Sequence, residues 1–210
     1  TETSIMGRYV GASCKICRRN GEKLMLKGIK CEAAKCAMER RPFPPGHRGR
    51  TRKLSEYGIR LREKQKLRFF YGISEKQMRI NFQKASRQIG VTGYNMLTFL
   101  ERRMDNIVYR VKLARSRKEA RQLVKHGHFM LNGKRVDIPS ILLCAGDIIS
   151  VCEGKKKYFE PRFVELKAKG APAWVVFEDE KRELRIERLP KREEIDTPVR
   201  EQLIVEFYSR

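Results

Sequence analysis

Apolar residues recur at helical intervals between residues 55 and 88. Tyr57, Leu61 and the apolar members of 64–69 fall on one predicted helix, which Gly72 interrupts. Ser74 caps a second helix, with Glu75 in its first turn and Met78, Phe82 and Ala85 on one face. Gly90 and Gly93 close this helical unit. Leu97, Leu100, Met104, Ile107 and Val111 then form a stripe at helical spacing, which is core. Ser116 and Glu119 read as a capping box that starts a further helix, and Gly127 is its left-handed terminator. Beyond it the period changes. Residues 128–131 read as strand, Asn132-Gly133 as a tight hairpin turn and 134–136 as the return strand. Ala145-Gly146-Asp147 turns into a third strand over 148–151. The fold class is α+β and mostly helical, with a small antiparallel sheet.

Charge turns this pattern into a functional reading. The 210 residues carry 48 Lys plus Arg against 25 Asp plus Glu, a formal charge of +23. Self-repulsion of that size implies a polyanionic partner. Residues 1–176 hold 40 basic and 15 acidic side chains, whereas residues 177–210 hold 8 and 10. The first five-sixths are therefore expected to face the polyanion, and the tail to serve another purpose. No stretch approaches the roughly 18–20 apolar residues of a membrane span. The first ten residues lack the apolar centre of a signal peptide. An intracellular chain without a membrane partner is expected, with cysteines as thiols or metal ligands.

On the helix of 116–127, Ala120, Leu123 and Val124 face inward. Arg117, Arg121 and Lys125 repeat every fourth residue and are expected to form one outward basic ridge, flanked by Lys118 and Gln122, with Arg115 and His126 as further RNA contacts. Asn132, Lys134 and Arg135 continue it in the hairpin. A second basic run comprises Arg40, Arg41, Arg48, Arg50, Arg52, Lys53, Arg62, Lys64, Lys66 and Arg68. Its first part, Arg40-Arg41-Pro42-Phe43-Pro44-Pro45-Gly46-His47, is read as non-helical because its prolines favour extended backbone. A stiff basic strand suits a phosphate backbone, with His47 as a phosphate or base contact.

Four cysteines stand as Cys14-x2-Cys17-x13-Cys31-x4-Cys36. Two close pairs separated by a short loop are the ligand arrangement of a tetrahedral thiolate site. So short a basic segment buries too little surface to fold alone, a deficit that one structural zinc ion would offset. Four thiolates would equally hold an iron–sulfur cluster. Cys144 and Cys152 lie outside this pattern, in an apolar strand-like context, and read as ordinary buried thiols.

Residues 102–151, with two helices, His126-Gly127-His128, the Asn132-Gly133 hairpin and Gly146-Asp147 before a strand, resemble the small RNA-binding module named after ribosomal protein S four. The four-cysteine arm, Arg40-Arg41-Pro42-Phe43-Pro44-Pro45-Gly46, Leu61-Arg62-Glu63-Lys64-Gln65-Lys66-Leu67, Tyr71-Gly72-Ile73 and the closing Glu201-Gln202-Leu203-Ile204-Val205-Glu206-Phe207-Tyr208-Ser209 resemble the bacterial ribosomal protein S four family itself. His47 and Arg48 depart from it, standing where many relatives carry Gln and His.

The resemblance implies a structural protein of the small ribosomal subunit, in the cytoplasm, that binds ribosomal RNA directly and early in assembly. Its implied partners include ribosomal protein S five and messenger RNA near the channel by which it enters, with an effect on translational accuracy. It also implies three parts: a metal-binding arm with a basic extended segment over 1–50, a helical domain over 51–97 closed by 177–210, and an inserted RNA-binding module over 98–176. The alternative is an RNA-modifying enzyme subunit carrying the same module. That reading lacks a catalytic domain, since no Gly-rich phosphate loop, nucleophile elbow or paired carboxylates appear outside the module.

Overall fold

A computed structural model describes residues 9–46 and 54–209. The chain divides into two units, Thr1–Met96 with Thr197–Arg210, and Leu97–Asp196.

The first unit opens with helix α1 (Ser13–Asn20), a 3-10 turn over Gly28–Cys31 and the short α2 (Ala37–Arg40). Arg40 thus closes a helix, and the described part of the Pro-rich segment is non-helical only from Arg41 on. Helix α3 (Glu56–Tyr71) starts at Ser55, whose hydroxyl accepts the Gly58 N–H, and stops at Gly72 with φ of 65°. Helix α4 (Glu75–Ser86) starts at Ser74, whose hydroxyl accepts the Gln77 N–H. Both starts leave a side-chain oxygen on a backbone donor that no helical carbonyl reaches. Helix α5 (Thr92–Glu101) begins in this unit. Gly93 lies inside it and closes nothing. A Cβ there would stand 2.9 Å from Cγ of Glu201 on α9 (Glu201–Tyr208), so the missing side chain permits that approach.

Helix α9 packs along α3. The Tyr57 and Phe207 rings are 5.7 Å apart, Phe82 and Tyr208 4.9 Å, and the Glu63 carboxylate accepts the Arg200 N–H at 3.1 Å.

In the second unit the apolar stripe is buried as expected, but it breaks at residues 102–103. Arg103 bridges to Leu142, and α6 (Met104–Arg110) restarts after it. Helix α7 (Arg117–Lys125) follows Ser116, whose hydroxyl accepts the Glu119 N–H. The Glu119 carboxylate does not return to Ser116. It accepts from the Arg115 N–H at 2.7 Å and from Arg162 at 2.8 Å, so only half of the expected capping box forms.

Strands β1 (Phe129–Leu131), β2 (Lys134–Val136) and β3 (Ile148–Val151) match the expected sheet. Asn132 and Gly133 take φ of 49° and 77°, the positive pair a two-residue hairpin needs. Helix α8 (Lys156–Lys169) and two further strands, β4 (Val175–Glu178) and β5 (Glu183–Ile186), complete an antiparallel sheet in the order β2-β1-β3-β5-β4. Residues 177–196 were expected to leave the module, yet β5 pairs with β3, Ile149 opposite Leu184. The return to the first unit comes at Thr197. The physical reason is apolar: Val175, Leu184 and Ile186 are buried in the core that also holds Phe129, Ile149, Phe159 and Trp174.

Candidate nucleic-acid interface and cysteine cluster

In the first unit Arg40, Arg41 and Arg62 are exposed. Arg68 is half-buried and donates to the Ile73 carbonyl at 3.3 Å and to Gln65 at 3.2 Å. Two of the expected RNA contacts are instead inside the protein. Lys64 is 5% exposed, with its ammonium 2.9 Å from Glu75 and 4.7 Å from the Phe207 ring centre. Lys66 is buried with Glu22 at 2.5 Å and Glu63 at 3.9 Å. A buried ammonium is held by its carboxylate, so neither is presented to a phosphate. Burial works against the Glu75 charge, but hydrogen bonds from Lys64 and Tyr208 outweigh it and hold that carboxyl below its ordinary range. His47, Arg48, Arg50, Arg52 and Lys53 lie outside the described residues.

The arm brings Cys14, Cys17, Cys31 and Cys36 to one cavity of about 10 Å³, room for about one water-sized sphere. Burial raises the Cys17 and Cys31 thiols above their ordinary range, and the charges of Cys14 and Cys36 add to the rise in both. Among the described residues, no three His, Cys, Asp or Glu side chains converge closely enough to form a ready metal site. The cysteines outside the arm differ from expectation. Cys144 is exposed, 3.2 Å from an Arg102 nitrogen, and Cys152 is half-buried.

In the module the expected ridge faces outward only in part. Arg117 donates to Asn106 at 2.9 Å and lies 4.4 Å from the Tyr109 ring centre. Arg121 reaches Asp105 at 3.4 Å. These partners belong to a buried lattice that the sequence reading missed. Asp105 takes both nitrogens of Arg103, at 3.0 and 2.8 Å, and Glu101 receives Asn106 at 2.7 Å and Arg110 at 2.9 and 2.7 Å. Acids at 101 and 105, four residues apart within a basic stretch, were the available signal.

Arg115, Lys125, His126, Lys134 and Arg135 are exposed and Lys118 is half-buried. Arg135 also donates to the Gly127 carbonyl at 3.1 Å and to His126 at 3.3 Å. Asn132 serves the fold: its amide donates to Asp147 and accepts the Ile148 N–H, both at 2.9 Å. The remaining cations form a scattered basic surface, which suits contacts to phosphates.

The family described as "Ribosomal protein S4/S9 N-terminal domain" matches residues 8–101, and the "S4 domain" matches residues 102–149. The chain is 53% identical to "Small ribosomal subunit protein uS4" of Pelotomaculum thermopropionicum over 210 residues, 98% of this chain and 100% of that protein. It is likewise 53% identical to the protein of that name from Acetivibrio thermocellus, again over 98% and 100%. The chain belongs to the uS4 family. The boundary between the two family matches falls after residue 101, at the end of α5, five residues from the break between the structural units. The S4 domain match ends at 149, within β3, so α8, β4 and β5 lie beyond it.

Proposed function

We infer that this chain is a structural protein of the small ribosomal subunit, not an enzyme, and that it binds the subunit's ribosomal RNA in the cytoplasm, on the ribosome. The observation that carries this reading is full-length identity of about half to proteins named "Small ribosomal subunit protein uS4". The +23 charge and the exposed cations of both units supply the chemistry, because each phosphate contact releases condensed counterions. Early RNA binding, contact with ribosomal protein S five and with messenger RNA where it enters, and an effect on accuracy follow from the family resemblance.

Cys14, Cys17, Cys31 and Cys36 would hold one zinc ion, or an iron–sulfur cluster. Four sulfur donors line one small cavity, and the arm would have to draw them together around the group, since they do not converge on a ready metal site among the described residues. When bound, the group would supply a cross-link between α1 and the chain before α2. The thiols must lose their protons to bind it, and burial opposes that loss at Cys17 and Cys31.

The test is titration of the full chain against small-subunit ribosomal RNA across salt concentration, with sedimentation of reconstituted subunits. Tight, steeply salt-dependent binding and co-sedimentation are expected. A chain that neither binds the RNA nor enters the subunit overturns the reading.

A further inference from the structure

The C-terminal end of α7, the start of β1 and the start of α8 enclose a cavity of about 370 Å³, lined by Glu119, Gln122, Leu123, His126, His128, Lys155 and Tyr158. None of the contacts argued above uses its aromatic wall. The His128 and Tyr158 rings are close to parallel, at 22°, with centroids 6.4 Å apart, and His126 lies 6.0 Å from His128. Tyr158 is 53% exposed, so its ring is accessible to a ligand. It is nevertheless held in place. Arg162 donates to its hydroxyl at 3.0 Å, and that guanidinium lies 4.8 Å from the ring centre. The one carboxylate in the wall, Glu119, is already engaged by the Arg115 N–H and by Arg162.

We propose that this cavity receives one unpaired base of the bound RNA, stacked against Tyr158 and the histidines. The proposal rests on the RNA-binding reading and adds the ligand class of one site within it. Unstacked bases are recognised by aromatic faces together with hydrogen-bonding groups at their edges. The exposed Gln122 offers an amide with both donors and an acceptor, and Lys155 an ammonium. The volume falls in the range of about 300–1,000 Å³ found for small-ligand sites. The surroundings are cationic, since Lys155 and Arg135 both act on the His128 ring. Burial first, and those cations after it, keep His128 neutral below its ordinary titration range, so the ring stacks without adding to that charge. An electropositive rim beside the His128 and Tyr158 rings matches a base carried on a phosphate backbone better than an apolar peptide.

The experiment uses the full chain and small-subunit ribosomal RNA. Ultraviolet cross-linking of the unaltered complex should leave a nucleotide on the segment around His126 and His128 or on that around Tyr158. Tyr158→Ala should weaken RNA binding about tenfold, as loss of one stacked base does. The slope of log affinity against log salt should stay unchanged, because no charge is removed. Tyr158→Phe, which keeps the ring, should bind like the unaltered chain. Unchanged affinity in a folded Tyr158→Ala chain, or cross-links confined to other segments, overturns the pocket while RNA binding by the unaltered chain stands. Failure of the unaltered chain to bind the RNA would instead overturn the broader reading.

Discussion

The Lys64 ammonium lies 2.9 Å from the Glu75 carboxylate, joining α3 to α4 where a phosphate contact was expected. Lys64→Ala should therefore destabilise the chain by about 2–3 kcal/mol. That is below the ~3–5 kcal/mol of a fully buried pair, because the Glu75 side chain is 31% exposed. Arg62→Ala, on the exposed side of the same helix, should cost within about 0.5 kcal/mol and weaken RNA binding instead. Denaturant unfolding and RNA titration of the two variants separate a core lysine from a contact arginine.

Glu75 also makes part of the stability depend on pH. Its folded carboxyl titrates below the ordinary 4.5. The stability it contributes is thus complete above that value and is lost as pH falls through the folded one. Thermal melts of Glu75→Gln against the unaltered chain should differ most near neutrality and converge as the pH falls well below 4.5. A constant difference across that range would sink this assignment.

Arg117 and Arg121 are tied to Asn106 and Asp105. Replacing both by Ala should destabilise the module by about 2–3 kcal/mol, because charged hydrogen-bond partners are left behind. Lys125→Ala with Lys134→Ala should leave the melting temperature nearly unchanged. It should make the salt dependence of RNA binding shallower by about 0.7–0.9 per lost contact. Equal stability losses in the two double variants would contradict the division.

Metal removal should act on the arm alone. Anaerobically purified chain is expected to carry about one zinc per molecule, or the visible absorption of an iron–sulfur cluster. A chelator should then raise hydrogen exchange in α1 and α2 and leave the sheet of the second unit protected. Metal-free protein with a fully protected arm would remove the metal from the account.

Much of the fold was legible because it is written in local chemistry. Ser55, Ser74 and Ser116 start helices by side-chain acceptance. Gly72 and Gly127 end them with φ of 65° and 66°, and Asn132-Gly133 makes the hairpin. Each of these depends on a few adjacent residues. The β4–β5 hairpin was missed because charged residues fill its turn, 179–182, and the adjoining strand ends Glu178 and Glu183. Its Leu184-Arg185-Ile186 alternation was legible and still did not say which sheet it joins.

The sequence by itself determined the family, the basic character, the paired cysteines and the identity of the buried stripe. All of these follow from residue type and short-range spacing. Only the tertiary structure decided which cations are free. Lys64 and Arg62 stand two residues apart on one helix, and Arg117 and Lys125 share one helix face by spacing. The first of each pair is claimed by a carboxylate, amide or ring from another element, Glu75 and Phe207 for Lys64, Asn106 and Tyr109 for Arg117. A charge is committed to the protein or left for RNA by the partner folding brings beside it, and that partner lies too far along the chain for spacing to reveal.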